Sequence, residues 1–395
     1  MQRLENIAKT QPRKFWKSIK KCYKKPKVNN DDIKLDDLYN HFNQLYGEND
    51  NCSDQNNLNN LIDEELDLRI TESEIRKAVF KQNNFKSNGP DEISAEIIKA
   101  SYDIISPYLL LLFNRLFQNA EYPNNWGEGY IVPIFKGGDP GQANNYRVIT
   151  LNNILAKIYS QILLNRLTVW NEKYEKISNC QFGFQKGKST VDCVFIFHAI
   201  ISKILSTGQK LYSVFIDYEK CFDKINRSLL WQKLLAEGVS TKMINAIKSM
   251  YTTVRSSVKY NGQVTTEQVQ SHLGVKQGDP SSALMFMMFV NDIMTNINTN
   301  LNDIFSIDDI KLFLILYADD QVLFATSPLS LELMLKDIEN YCNTYKLKIN
   351  TNKTKVMIFQ KGGRHISHDF RLYNEKLEVV SSFKYLGVTF FKNSS

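Results

Sequence analysis

Two strongly apolar β-type runs, Leu312–Leu316 and Val322–Ala325, flank the pentapeptide Tyr317-Ala318-Asp319-Asp320-Gln321. Such runs demand burial while adjacent carboxylates resist it, because an ionised carboxylate taken out of water is costly unless something compensates it. No Lys or Arg lies between Leu312 and Ala325. Compensation must come from a remote residue, from solvent at a hairpin tip, or from a bound cation. An Asp-Asp hairpin turn in water accounts for an isolated pair. That reading weakens when a second site of the same kind appears. At Asp217 the apolar run Leu211–Ile216 again ends in an acid, at an expected strand C-terminus, where α/β-type sheets present functional groups. Carboxylates alone suit a hard, oxygen-seeking ion such as Mg²⁺. Two such ions about 3.5–4 Å apart stabilise the attacking and leaving oxygens of an in-line displacement. The expectation is that Asp217, Asp319 and Asp320 meet in space and hold two metal ions and a triphosphate.

The rest of the chain reads as helices first, then strands and helices interleaved. Thr71-x-x-Glu74 is a capping-box pattern ahead of Ile75, Ala78 and Val79. Ser87-Asn88-Gly89-Pro90 marks a turn, Ile93–Phe117 carries Leu and Ile at helical spacing, and Tyr130–Phe135 is a short strand. Ile154–Trp170 and Leu331–Lys346 read as helices, Leu229–Ala236 as an amphipathic helix closed by Gly238, and Ala283–Val290 as a buried helix or strand. Lys355–Phe359 and Tyr385–Phe390 read as strands. This order argues for an α+β fold whose central sheet is backed by helices.

Charge is distributed unevenly along the 395 residues, with +9 over residues 1–27, −11 over 28–75 and +9 over 76–395. A basic arm, an acidic connector and a mildly basic body suit a polyanionic partner, although solubility also explains a modest surplus. Arg13–Lys27 mixes Phe15, Trp16, Ile19 and Tyr23 with eight Lys/Arg, a basic amphipathic helix stopping at Pro26 that lies on nucleic acid or docks on the body. Residues 47–60 read as a linker. The six cysteines include no Cys-x-x-Cys pair, so neither a zinc ribbon nor a disulfide scaffold is indicated and a reducing intracellular compartment fits. His365-x-x-His368 reads as a solvated loop. The longest apolar run, Ala283–Val290, falls far short of the ~18 residues of a membrane span, which excludes a membrane bundle.

Three segments, FIDYEKCFDKINR (215–227), GVKQGDPSSALMFMMFVND (274–292) and YADDQVLF (317–324), resemble in order and spacing three core motifs of reverse transcriptases, those of non-LTR (LINE-type) retrotransposons above all. Further matches are KSNGPDEISAEIIK (86–99), VPIFKGGDPGQANNYRVITL (132–151), QFGFQKGKST (181–190), LKINTNKTKVMIF (347–359) and KYLGV (384–388), so the resemblance covers about residues 75–390.

The resemblance implies a right-hand polymerase with a basic N-terminal arm and acidic, partly helical linker over 1–75. Fingers would span 76–210 and the palm 211–395, an antiparallel sheet backed by helices, with the thumb largely missing and no endonuclease domain. It implies that Asp217, Asp319 and Asp320 are catalytic and bind two Mg²⁺, Asp319 being the stronger ligand of the adjacent pair. Lys136 and Arg147 match positions that hold the triphosphate. Phe222 matches the steric gate that excludes a ribose 2′-hydroxyl, Gln277-Gly278 the loop contacting nucleotide and template, and Lys353 a lysine that protonates the departing pyrophosphate. The implied activity is RNA-directed DNA synthesis on an RNA template from a DNA primer and dNTPs, in the nucleus and cytoplasm as a retrotransposon ribonucleoprotein. A repurposed fragment that only binds nucleic acid is the alternative; a group II intron maturase would carry a longer C-terminal extension. Val148 and Ala283 stand where the family usually has Pro, and Asn88 and Glu92 where Pro and Gly are common. None of these removes a metal ligand.

Overall fold

The computed structural model describes residues 33–47, 60–297, 305–307, 310–362 and 368–392. The basic stretch Arg13–Lys27, most of the 47–60 linker and His365 lie outside the described residues. Helices α1 to α5 span Leu35–Tyr46, Glu72–Lys81, Ala95–Ala100, Tyr102–Asn119 and Ile154–Lys173. Helices α6 to α10 span Thr190–Ser206, Arg227–Ala236, Thr241–Ser249, Ser282–Phe289 and Pro328–Thr344. Strands β1 to β5 span Glu128–Phe135, Tyr146–Asn152, Leu211–Ile216, Arg255–Tyr260 and Gln263–Gln270. The hairpin strands β6 and β7 are Leu314–Tyr317 and Asp320–Ala325; β8 is Lys355–Phe359 and β9 Glu378–Val379.

The larger sheet has the order β9-β8-β3-β7-β6, antiparallel except for the short β8–β9 edge pair. All six residues of its central strand β3 are buried, and they alternate between two cores. Tyr212, Val214 and Ile216 pack in one core with Leu331, Met334 and Ile338 of α10. Leu211 and Phe215 pack in the other with Phe197, Ile200 and Ile201 of α6. Helices therefore cover both faces, which is why the strands read as continuous apolar runs instead of alternating with polar residues.

The smaller sheet has the order β2-β1-β4-β5, so strands from either side of residue 210 share it. Helix α1 closes one face, with Leu38, Phe42 and Tyr46 packed among Val148, Val258 and Val269. Helices α2, α4 and α5 pack on one another. Thr71 and Glu74 form the capping box of α2, and Arg166 of α5 reaches Glu74 Oε1 at 2.6 Å while donating to the carbonyls of Leu66, Leu68 and Arg69. One guanidinium thus fixes the entry to α2.

Several elements differ from the sequence expectation. The apolar stretch 93–117 breaks at Ser101 into α3 and α4. The expected strand over 385–390 is a hairpin, Ser382–Tyr385 (β10) and Val388–Phe391 (β11), turned at Leu386 and Gly387 with φ of 46° and 90°. Positive φ at both central residues matches the right-handed twist of hairpin strands, and the Gly marks it. The run 312–316 is interrupted at Phe313: Leu312 ends a separate strand, Ile310–Leu312. Ala283–Val290 resolves as the helix α9.

Phe197 is fully buried, with the rings of Phe215, Phe324, Phe359, Tyr385 and Phe390 centred 5.1–6.1 Å away. Phe197→Ala is expected to cost about 3–5 kcal/mol, read as a lower urea midpoint at unchanged m; a loss under about 1 kcal/mol would mean the cluster collapses into the space. Lys276 is 8% exposed, its ammonium facing the rings of Tyr122 and Tyr251 at 5.6 and 5.7 Å, and burial pushes its pKa down to about 8. Above that pH the folded chain sheds a proton that the unfolded chain keeps to about 10.4, so wild-type stability rises there. Lys276→Met should match or exceed wild type at pH 7 in thermal melts. Wild type should then gain on the variant between about pH 8 and pH 10; a constant gap contradicts this account.

Candidate active site

The hairpin that carries the paired acids turns more tightly than its sequence suggests: Tyr317 pairs with Asp320, leaving Ala318 and Asp319 as the loop. Ala318 sits at φ +57°, a left-handed conformation uncommon for a residue with a Cβ. A second segment holds it there. Gln181 Oε1 accepts from Ala318 N at 3.0 Å and from Gly183 N at 2.8 Å, while Leu316 N donates to Cys180 O and Phe182 N to Leu316 O. A Cβ at position 183 would lie 2.5 Å from Ala318 N, so only Gly lets the segment close on the turn. The clamp leaves Asp319 and Asp320 exposed at the tip.

Asp217 follows β3 directly. Ile216 pairs with Gln321, and the same antiparallel register sets Asp217 beside Asp320 across the ladder. Its backbone is fixed from the other side, where Asp217 N donates to Thr354 Oγ1 at 3.2 Å and Asn350 N to Asp217 O at 2.8 Å. Lys353, on that same 350–354 turn, brings Nζ to 3.9 Å from Asp217 Oδ2. The three carboxylates feel one another. Partial desolvation by its surroundings and the charges of Asp319 and Asp217 push the carboxyl of Asp320, exposed as the residue is, up to about 6. Burial also raises Asp217, with Asp319 adding to the rise and Lys353 and Lys136 opposing it. Among the described residues no three His, Cys, Asp or Glu side chains by themselves form a cage for a metal ion. An acid cluster of this kind suits Mg²⁺, which takes one or two protein carboxylates and completes its shell with water and substrate phosphates.

Beyond Asp217 the chain makes a single helical turn, Cys221–Lys224. Phe222 is half-buried on it and stacks on Phe286 of α9, centroids 4.4 Å apart at 24°. Asp223 is buried and accepts from Tyr46 Oη at 2.8 Å and Gln277 Nε2 at 2.7 Å. Burial raises its pKa against the pull of these bonds and of Lys220. Gln277 thus reaches the Asp217 segment through its side chain and strand β2 through its backbone, where Thr150 N donates to Gln277 O at 2.8 Å. Gly278, at φ +107°, presses on that strand so closely that a Cβ would lie 2.6 Å from Thr150 O. Lys136 and Arg147 are both exposed near the loop end of the β1–β2 hairpin, where Phe135 pairs with Tyr146 and Ile134 with Arg147. The charge of Lys136 reaches Asp217.

The structure therefore gathers Asp217, Asp319, Asp320 and Lys353 at one sheet end. Phe222, Gln277 and Gly278 lie on the adjoining turn and loop, and Lys136 and Arg147 on the facing hairpin. Sequence reasoning missed Tyr46 and the helix that carries it, although Leu35, Leu38, Phe42 and Leu45 recur at helical spacing. It also missed the Gln181 clamp, for which no local signal exists.

The family model for reverse transcriptase (RNA-dependent DNA polymerase) matches residues 134–390. The probable RNA-directed DNA polymerase from transposon BS of Drosophila melanogaster is 27% identical over 331 residues, 82% of this chain and 36% of the relative. The RNA-directed DNA polymerase from mobile element jockey of the same organism is 24% identical over 342 residues, 81% of this chain and 35% of the relative. The chain spans about a third of the length of these relatives. Among solved structures, apo telomerase from Candida tropicalis truncated from the C-terminal domain aligns with a TM-score of 0.46 at 15% identity, covering 72% of this chain and 58% of that one. The family match runs over more than half of the 395 residues and takes in the acid-bearing sheet end, the clamp and the Gln277 loop, so the chain belongs to the reverse transcriptase (RNA-dependent DNA polymerase) family that its motifs resemble.

Proposed function

We propose that this chain carries the RNA-directed DNA polymerase activity of a non-LTR retrotransposon, extending a DNA primer on an RNA template with dNTPs inside the cell, in nucleus and cytoplasm. The observation that carries the reading is the placement of Asp217 beside Asp320 with Asp319 at the tip, a concentration of negative charge met by one lysine at 3.9 Å. The carboxylate oxygens of these residues would hold Mg²⁺, two ions in the full site. When bound, Mg²⁺ neutralises charge on the attacking and leaving oxygens of an in-line displacement.

The protein's own residues supply position and charge. The primer 3′-oxygen forms a bond to the α-phosphorus as the bond from that phosphorus to the bridging oxygen breaks, and pyrophosphate leaves. Lys136 and Arg147, exposed on the facing hairpin, hold the triphosphate; Arg147 can do so with two parallel N–H donors. Lys353 offers a proton to the departing pyrophosphate. The Phe222 ring is braced by Phe286; in this reading it would lie under the sugar and exclude a 2′-hydroxyl. Gln277 and Gly278 present a close backbone to nucleotide and template.

Primer extension on poly(rA)/oligo(dT) with Mg²⁺ should show dTMP incorporation. Asp319→Asn should reduce it about a thousandfold, the loss of about 4 kcal/mol of transition-state stabilisation. Equal incorporation by both proteins overturns the reading in favour of a chain that only binds nucleic acid. Phe222→Ala should raise the ratio of ribonucleotide to deoxynucleotide incorporation by about tenfold or more. An unchanged ratio in a variant with a normal melting curve removes Phe222 from the sugar-selecting role.

A further inference from the structure

Helix α1 lies outside the aspartate cluster yet is tied to the segments around it. Lys220, in the left-handed region at φ +50°, directs its Nζ to His41 Nε2 and to Asn144 Oδ1, each at 3.1 Å. Asn144 sits in the β1–β2 loop beside Asn145, whose carbonyl accepts from Lys136 N at 2.9 Å. One ammonium thus joins α1, the hairpin that bears Lys136 and the turn that follows Asp217. Tyr46, at the C-terminal end of α1, makes further ties. Its carbonyl accepts from His272 N at 3.1 Å, two residues before the 274–278 loop. Its hydroxyl donates to Asp223 Oδ1 at 2.8 Å.

The oxygen of Asp223 that takes the Tyr46 hydroxyl also takes Gln277 Nε2 at 2.7 Å. An ionised carboxylate only accepts, so it engages the NH₂ branch of the Gln277 amide and leaves the carbonyl branch turned away from it. The loop backbone is bound to the same turn: Val275 N donates to Phe222 O and Gly274 N to Ile225 O, both at 2.8 Å. Gln277 and Phe222 therefore move with Asp223. Without the Tyr46 hydroxyl the buried carboxylate is one donor short, an expensive state. It recovers a donor only by moving, and that displaces both residues with it.

We infer that Tyr46 is a positioning residue: through Asp223 it fixes the amide of Gln277 and the turn that carries Phe222, and so sets nucleotide affinity and sugar selection without touching the nucleotide. The effect on synthesis rests on the polymerase reading; the hydrogen-bonded linkage beneath it does not.

Single-nucleotide primer extension and amide hydrogen exchange test it, using the full chain in its wild-type, Tyr46→Phe, Tyr39→Phe, Asp223→Asn and Asp223→Ala forms. Tyr46→Phe keeps the buried ring and removes only the hydroxyl. It should raise the KM for dTTP about tenfold with kcat within about twofold, the mark of lost binding alone. Ribonucleotide incorporation relative to deoxynucleotide should rise about threefold. Exchange should quicken about tenfold over residues 221–225 and 274–278. Tyr39, on the same helix, gives its hydroxyl to Glu267 of β5, so Tyr39→Phe should change none of these. Both donors meet on Oδ1 of Asp223, so the amide oxygen of Asp223→Asn can keep them and hold KM near wild type, whereas Asp223→Ala should raise it at least as far as Tyr46→Phe. Unchanged KM and exchange in Tyr46→Phe overturn the inference. So does an equal fall of kcat in Tyr46→Phe and Tyr39→Phe, which would make α1 a structural support alone. Equal KM in the two Asp223 variants overturns it too, whatever the fold of Tyr46→Phe. A wild type that extends no primer while exchange responds as described would sink the polymerase reading and keep the linkage from Tyr46 to Gln277.

Discussion

The architecture depends on the complete burial of β3. Both of its faces are covered by helices, so none of its six residues can be charged, and the first place a carboxylate is tolerated is one residue past its end. The same holds for the neighbouring hairpin, whose strands are buried up to the turn and carry acids only at its tip. Two strand ends that admit no charge further in are paired by an antiparallel ladder, and the ladder sets their acids next to each other. The sheet's hydrogen bonds thus bring Asp217 to Asp320 across more than a hundred residues of sequence.

Around this sheet end, segments are held by backbone contacts that tolerate no extra atom. Gly183 closes on Ala318 and Gly278 on Thr150, and in both cases a Cβ would intrude to 2.6 Å or less. The first contact fixes the acid tip to the 180–183 segment through Gln181; the second fixes the Gln277 loop to β2, and so to Arg147. Asp223 completes the chain of contacts, joining Tyr46 of α1, Gln277 of the loop and its own turn through one buried carboxylate. The burial of that carboxylate is compensated by hydrogen bonds rather than by a salt bridge. Movement of α1 would therefore be felt within one residue of Phe222.

What the sequence disclosed follows from how local each signal is. The capping box at Thr71, the helix over 154–173 and the buried strands were legible because their determinants lie within a few residues. Helix α1 was passed over because its acidic, Asn-rich surroundings look like a connector, while its Leu38, Phe42 and Tyr46 find partners only in strands about a hundred or more residues on, among them Val148 of β2, Val258 of β4 and Val269 of β5. The 382–391 hairpin hid behind Leu386, an apolar residue at positive φ that a strand pattern absorbs. The three Asp were legible individually as acids at the ends of apolar runs. Their adjacency was not, since it exists only in the register of β3 with β7.

That adjacency also concentrates negative charge at the sheet end. Among the described residues, the hydrogen bonds that satisfy Asp223 have no equivalent at Asp320, whose carboxyl is pushed up to about 6 by partial desolvation and by Asp319 and Asp217. An acid held above its ordinary range is less stable ionised in the folded chain than in the unfolded one. The cluster therefore opposes folding more strongly as the pH rises from about 4 to about 6, as Asp320 ionises. Lys353 at 3.9 Å relieves Asp217 in part, but the ammonium is more than half exposed and strongly hydrated, which limits what it contributes. A positive charge placed among the carboxylates would act on every repulsive pair at once and would leave only the part of the shift that desolvation causes. The sheet that forces the acids together thus stores unfavourable charge at the tip, which protonation of Asp320 relieves as the pH falls.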